Sequence, residues 1–177
     1  MRIITIEDNA ELQIREIPNL VRLEVKNANL EENTEITIRD LIRTALRMRP
    51  DRIIIGEVRG AEAGDFLTAL KTGHDGSLGS AHANNVRDMI SRLEMMVLMG
   101  MDLPVGVIRR QIASGVDILI HLTRDKNGRR CVDEIAEITG ISNDEVQIRT
   151  LYKRNEEGIF VREAELCGQE KLNRRSS

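Results

Sequence analysis

The sequence predicts an α/β fold in which a mostly parallel sheet is flanked by helices and followed by a C-terminal β-hairpin region. Short apolar runs, such as "RIITIE" and "RIIIG", alternate with amphipathic segments of helical period, as they do in β-α-β units. The last third of the chain shows β-type alternation without a helical segment. The 177 residues suffice for one domain with a full core, and with 2% aromatics that core must be mainly aliphatic.

The strands are predicted from apolar runs and from alternation. Three consecutive isoleucines, Ile53 to Ile55, are typical of a strand that is buried on both faces. Alternating segments are typical of half-buried strands. The predicted strands cover residues 2–6, 20–25, 52–56, a short Gly- and Ser-rich stretch within 74–85, 117–122, 129–138, 145–154 and 158–163.

The helices are predicted from apolar stripes and from their caps. Thr37 and Asp40 fit a capping box at the start of one helix. Asn85 is a suitable cap for another, and Pro104 fits the first position of a third. The predicted helices cover residues 38–48, 62–72, 86–99 and 104–114.

These elements suggest an organisation into a core and an appendage. Residues 1–125 form the predicted core, residues 126–168 a β-rich appendage, and residues 169–177 a disordered tail. The polar segment 26–35 is predicted to be a mobile loop.

Composition excludes several classes of protein. The net charge of −3 gives no electrostatic argument for nucleic-acid binding. No apolar run is long enough to span a membrane. Cys131 and Cys167 are far apart and form no zinc motif, which favours a reduced, cytoplasmic compartment.

Two carboxylates end neighbouring strands. Glu7 follows the first apolar run, and Glu57 follows Gly56 at the end of "RIIIG". The carboxyl ends of parallel strands form the usual ligand-binding edge of an open α/β sheet. Acids there can hold Mg²⁺, directly or through water, or can deprotonate an attacking water. The alternative interpretation is a pair of solvated strand-end acids.

The stretch "TGHDGSLGSAHAN" contains two candidate histidines among small residues. His74 and His82 could contact a phosphate oxygen or respond to its loss. A metal site with Asp75 or Glu57 is a weaker hypothesis, because the two histidines are far apart on an extended strand. A histidine that only packs or caps is the ordinary alternative.

Arginines are concentrated between residues 22 and 59. Most are expected to be solvated charges on a helix. Arg59, just after Glu57, and Arg22, on a strand, are better placed to bind phosphate or to act on a neighbouring subunit.

Residues 134–146 match the spacing of a helix-turn-helix at Ala136, Gly140 and Val146. The segment lacks the basic residues that DNA recognition requires. A hairpin of two strands is therefore the preferred interpretation.

Taken together, four stretches resemble the type II/type IV secretion ATPases, the hexameric motors of secretion systems and type IV pili. The resemblance covers about residues 2–125, continues more loosely to about residue 152, and is greatest to the CpaF-like branch that assembles tight-adherence (Tad) pili. The stretches are "RIITIEDNAELQ", "RMRPDRIIIGEVRG", "TGHDGSLGSAHANN" and "SRLEMMVLMGMDLP".

The resemblance implies a RecA-like ATPase core that uses ATP and Mg²⁺. It makes Glu7 the general base of the Asp box, and it makes Glu57 the Walker B acid that acts on Mg²⁺ or on its water. It makes His82 a contact of the γ-phosphate in the His box, with His74 nearby. It also implies a homo-hexamer that works in the cytoplasm against inner-membrane platform proteins and has no membrane span of its own.

Three departures from the family pattern stand out. The phosphate-binding loop G-x-x-x-x-G-K-[ST], whose amides and Lys hold the phosphates, does not occur in this sequence. Gly79 and Ser80 stand where the family often has threonines. The four-cysteine module of the type II secretion branch is absent, which favours the pilus-assembly branch.

Two explanations fit the missing loop. The chain can be the C-terminal catalytic part of a longer motor, which its start within a strand favours, and then it should bind and hydrolyse ATP poorly alone. It can also be a natural relative without the loop, serving as a non-hydrolysing assembly or regulatory subunit.

Overall fold

The computed structural model describes residues 1–28 and 35–167. Most of the predicted loop 26–35 and the predicted tail 169–177 lie outside these ranges. The chain divides into two compact units. The first comprises Met1–His82 and Met95–Leu103, and the second comprises Ala83–Glu94 and the chain from Pro104 onward.

The first unit is built on a parallel sheet of the order β2-β1-β3-β4. Its strands are β1 (Ile3–Glu7), β2 (Leu20–Glu24), β3 (Arg52–Ile55) and β4 (Leu78–Gly79). Helix α1 (Ile38–Arg47) packs on β1 and β2 and against α2 (Glu62–Lys71). All five residues of β1 are buried, as expected for a central strand.

The prediction that β3 is buried on both faces is only half right. Ile53 and Ile55 are buried, but Ile54 is only half-buried. Ile54 pairs with Leu78, whose side chain is 61% exposed. Paired residues point to the same face of a sheet, so the apolar cover of that face is incomplete near β4.

The predicted capping box of α1 is confirmed. Thr37 Oγ1 accepts a hydrogen bond from the amide of Asp40 at 3.2 Å. The Asp40 carboxylate in turn accepts from the amide of Thr37 at 3.1 Å. Both bonds satisfy amides that have no partner within the helix.

Helix α3 (Val86–Gly100) contributes its first part to the second unit and its last residues, from Met95, to the first. Asn85 caps it as predicted, because its Oδ1 accepts a hydrogen bond from the amide of Asp88 at 2.8 Å. At the other end Gly100 lies against Ala61. A Cβ at Gly100 would be 2.9 Å from the Ala61 carbonyl oxygen, so only glycine allows this approach.

The second unit is an antiparallel sheet of the order β5-β6-β7-β8, on which α4 (Val105–Gly115) packs. Its strands are β5 (Ile118–Arg124), β6 (Arg130–Ser142), β7 (Glu145–Arg154) and β8 (Phe160–Arg162). Ile108 and Ile112 of α4 are fully buried. Pro104 precedes α4 as its cap residue and is not its first residue, contrary to the prediction.

The predicted hairpin over 134–146 is confirmed, and the helix-turn-helix alternative is wrong. The segment runs from the middle of β6 into β7. Asn143 and Asp144 turn the chain with φ values of 52° and 61°, the left-handed conformation that tight hairpins require. The predicted domain boundaries at residues 125 and 168 remain predictions.

Candidate functional site

The parallel pairing of three strands determines where the candidate residues lie. Glu7 is the last residue of β1, Glu57 follows β3, and His82 follows β4. Because the three strands are parallel neighbours, their carboxyl ends meet at one edge of the sheet. The structure therefore brings Glu7, Glu57 and His82 to the same edge.

Glu7 is held by backbone groups. Its side chain is buried, with the residue 4% exposed. Its Oε1 accepts hydrogen bonds from the amides of Glu11 at 3.1 Å and Leu12 at 2.9 Å. The carboxylate therefore has a fixed direction at the strand end, and the loop after β1 folds around it.

Gly56 gives Glu7 the space that it occupies. The Gly56 amide donates to the carbonyl of Ile6 at 2.8 Å and thereby continues the pairing of β1 with β3. A Cβ at Gly56 would lie 2.9 Å from Glu7 Cγ, closer than real Cβ contacts come. A side chain at position 56 would therefore displace the Glu7 side chain.

Glu57 has partners at both carboxylate oxygens. Oε2 accepts a hydrogen bond from Arg59 Nη2. Oε1 lies 3.1 Å from His82 Nε2. The Glu57 side chain is 19% exposed and the His82 side chain 82%, so the histidine lies on the solvent side of the acid.

Arg59 bridges the acid that follows β1 and the acid that follows β3. Its Nη1 lies 3.3 Å from Asp8 Oδ2, in addition to the bond to Glu57. The hydrogen bond and charge of Glu57, with a smaller contribution from Asp8, raise the pKa of Arg59 above its usual value. The guanidinium therefore stays charged between the two carboxylates.

Two further side chains hold the loop that carries these groups. Glu62 Oε1 accepts hydrogen bonds from the amides of Arg59 at 2.6 Å and Gly60 at 2.9 Å. The Ser80 hydroxyl donates to the Gly56 carbonyl, and the Val58 amide donates to the Ser80 carbonyl at 2.8 Å. The chain from 56 to 60 is thus fixed by α2 on one side and by the end of β4 on the other.

His74 and Arg22 lie elsewhere. His74 precedes β4, near the amino ends of the strands, and its Nδ1 lies 3.1 Å from the Ala69 carbonyl oxygen at the end of α2. Arg22 Nη2 donates to the Ile14 carbonyl at 2.6 Å and so holds the loop after β1. The structure does not bring His74 to the Glu57 edge, because β4 separates it from His82. Its phosphate role, like that of Arg22, remains a prediction.

Sequence reasoning missed Asp8, Glu62 and Ser80. The sequence contains a weak indication of Asp8, since this acid directly follows Glu7 at the end of β1. Glu62 also had one, because it lies three residues after Arg59 at the start of a predicted helix, the spacing at which an acid can bond back to an amide. Ser80 was noted only as a departure from the family pattern, because its bond to Gly56 depends on the register of β3 and β4.

The arrangement suits chemistry on an anionic ligand with a divalent cation. Mg²⁺ is usually held by one or two carboxylates together with waters and substrate phosphates. Glu57 and Asp8 offer such oxygen donors, so the residues present fit this ion. Within residues 1–28 and 35–167, no group of three or more His, Cys, Asp or Glu side chains is arranged to hold a metal ion.

Residues 1–172 match the family model described as "Type II/IV secretion system protein". This match covers nearly the whole chain, so the chain belongs to the type II/IV secretion system protein family. The predicted resemblance to this family is thereby confirmed, and the assignment to the CpaF-like branch stays a prediction. Within the ranges that the structure describes, no helix combines the length and apolarity needed to cross a membrane.

Two curated relatives are similar over about three quarters of the chain. A protein of Mycobacterium tuberculosis (strain H37Rv) named for conjugal transfer is 49% identical over 135 residues, which are 76% of this chain and 38% of the relative. The type IV secretion system protein VirB11 of Brucella suis is 42% identical over an alignment of 135 residues that covers 72% of this chain and 37% of VirB11. The chain thus spans about two fifths of the length of these relatives.

Solved structures confirm the predicted fold class. The crystal structure of the VirB11 ATPase of Brucella suis in complex with sulphate superposes with a TM-score of 0.67 and 36% identity, covering 77% of this chain and 40% of VirB11. The pilus retraction motor PilT with bound ADP superposes with a TM-score of 0.53 and 26% identity, covering 80% of this chain and 39% of PilT.

Proposed function

We propose that this chain is the C-terminal catalytic part of an ATP-hydrolysing motor that drives protein export or pilus assembly. One observation carries the proposal: Glu7, Glu57 and His82 meet at the carboxyl edge of a parallel sheet in a chain of the secretion family. The names of the VirB11 and PilT structures, an ATPase and a motor with bound ADP, support ATP as the substrate.

Each of the three residues has a separate role in this proposal. Glu7 accepts the proton of the attacking water, and its two amide bonds at Oε1 direct the carboxylate. Glu57 holds Mg²⁺ directly or through water, and that ion, when bound, neutralises charge on the phosphate oxygens. His82, the most exposed of the three, contacts the γ-phosphate.

The proposal includes a phosphate-binding loop that this chain does not itself contain. The backbone amides and lysine of such a loop provide much of the affinity for a triphosphate. The 177 residues contain no G-x-x-x-x-G-K-[ST] motif. We therefore expect the chain alone to bind ATP weakly and to hydrolyse it poorly.

In more detail, the proposal is that the whole motor is a homo-hexamer in the cytoplasm that acts on inner-membrane platform proteins. The absence of a four-cysteine motif supports the tight-adherence pilus branch. The identity to the conjugal transfer protein and to VirB11 favours a second candidate, a motor of type IV secretion. Recovery of pilin-assembly proteins or of secretion-channel proteins with the motor from membranes would distinguish the two.

The alternative function is a non-hydrolysing assembly or regulatory subunit. The missing phosphate-binding loop favours it. A gene that encodes the loop in frame before this chain would exclude it.

The test is ATP turnover by a longer form of the protein that carries the phosphate-binding loop. Glu7→Gln and Glu57→Gln should each lower turnover by roughly a hundredfold or more, because each removes a charged group from the reacting centre. Glu134→Gln is the matched control, since Glu134 is also a buried acid, 6% exposed, but lies on β6. Full turnover in both site variants would refute the proposed function.

A further inference from the structure

The carboxylates of Glu57 and Asp8 already have a cation between them. One guanidinium, that of Arg59, bonds to Glu57 through Nη2 and lies 3.3 Å from Asp8 through Nη1. The carboxylate of Glu7 ends the neighbouring strand in the same region.

A divalent cation and this guanidinium compete for the same oxygen atoms. Both Glu57 oxygens are in use, Oε2 by Arg59 and Oε1 by His82. A cation bound at Oε2 would also be repelled by the positive charge of Arg59 at short range. Direct binding of the cation at Glu57 Oε2 therefore requires the guanidinium to leave.

The Arg59 side chain can leave without a change in the backbone. The Arg59 side chain is 63% exposed, so it has solvent to rotate into. Its backbone is held separately, since its amide and that of Gly60 both donate to Glu62.

We propose that Arg59 takes the place of the divalent cation at Glu57 and Asp8 while no cation is bound, and that cation binding displaces it. Arg59 is then a positioning residue that keeps Glu57 neutralised and pointed at the edge until the cation arrives. This inference rests on the proposed role of Glu57 toward Mg²⁺. It does not depend on ATP hydrolysis.

The test uses Mn²⁺ as the probe and the 177-residue chain without nucleotide. Paramagnetic broadening of the amide signals of residues 56–60 and 80–82 reports binding at this edge, even when binding is weak. Arg59→Gln should lower the dissociation constant for Mn²⁺ by about tenfold, because it removes a competing positive charge within a few ångströms. Glu57→Gln should abolish the broadening.

Arg129→Gln is the matched control. Arg129 is also an exposed arginine in an ion pair, with Asp125 at 3.0 Å, so this variant makes the same change in net charge and also removes the cationic partner of a carboxylate. It should leave the broadening at residues 56–60 unchanged. Thermal unfolding of all three variants shows that each is folded.

The outcomes separate this inference from the proposed function. If Arg59→Gln binds Mn²⁺ no more tightly than the unsubstituted chain, or if neither binds it, the displacement proposal is overturned. Where the unsubstituted chain does bind Mn²⁺, loss of binding in Glu57→Gln still supports Glu57 as the cation ligand. If Glu57→Gln binds Mn²⁺ as well as the unsubstituted chain, the inference and the proposed role of Glu57 both fail.

Discussion

At the scale of single residues, the site depends on one glycine as much as on its acids. Glu7 reaches its two amide donors because Gly56 leaves room beside the Glu7 side chain. The sequence shows Gly56 only as the residue before Glu57, just after β3. Its effect is on the acid of the neighbouring strand, which becomes visible only when β1 and β3 are paired.

The Gly56→Ala substitution should therefore disturb Glu7. The new Cβ would be 2.9 Å from Glu7 Cγ, so the side chain must move away from the amides of Glu11 and Leu12. Overpacking and the loss of these bonds should together cost about 1–3 kcal/mol of the free energy of unfolding, measured by urea titration.

Gly60→Ala is the control for this substitution. Gly60 lies in the same loop, but a Cβ there would meet its nearest atom, Glu62 Oε2, at 3.5 Å, an ordinary contact. We expect a change within about 0.5 kcal/mol, as for most surface substitutions. Equal losses in the two variants would show that Gly56 has no special role beside Glu7.

At the scale of secondary structure elements, α1 is the helix whose start was predicted in most detail. The pair Thr37 and Asp40 was recognisable because a capping box involves only residues three apart in sequence. The structure adds an electrostatic consequence. Hydrogen bonds from the Thr37 side chain and backbone hold the pKa of Asp40 below its usual value.

Removal of this cap should weaken α1. Thr37→Ala should lower the free energy of unfolding by about 1 kcal/mol, because the Asp40 amide loses its acceptor. Thr37→Ser keeps the hydroxyl and should recover most of that loss. Urea titration of the two variants beside the unsubstituted chain measures both effects, and an unchanged Thr37→Ala variant would contradict the role of the cap.

The same pair predicts a dependence on pH. Because the pKa of Asp40 is lower in the folded chain than in the unfolded chain, its ionised form stabilises the fold above the ordinary pKa of aspartate. That contribution is lost as the pH falls through the lowered value. The Asp40→Asn variant should therefore lose less stability than the unsubstituted chain as the pH is lowered through and below the ordinary pKa of aspartate.

The elements and the site were predictable to different degrees, for physical reasons. The periodic helices and the alternating strands were found because periodicity is a local property. His74 was placed with His82 because both lie in one motif, but β4 runs between them and carries them toward opposite edges of the sheet. Likewise Ile54 was predicted to be as buried as Ile53 and Ile55. It is only half-buried because its partner on β4, Leu78, is itself exposed.

At the scale of the whole molecule, the chain carries the acids of the proposed nucleotide site but no G-x-x-x-x-G-K-[ST] motif that would bind phosphates. Glu7, Glu57 and His82 are brought together by β1, β3 and β4 within the first unit. No other part of the sequence supplies the amides and lysine of a phosphate-binding loop. The central proposal is therefore that this edge binds Mg-ATP only together with such a loop.

Calorimetry with Mg-ATP tests this proposal most directly. The 177-residue chain should show no binding at high protein concentration, and a longer form with the phosphate-binding loop should bind clearly. Glu57→Gln in the longer form should weaken that binding, and Glu134→Gln should not. Micromolar binding of Mg-ATP by this chain alone would contradict the proposal, because another part of these residues would then hold the phosphates.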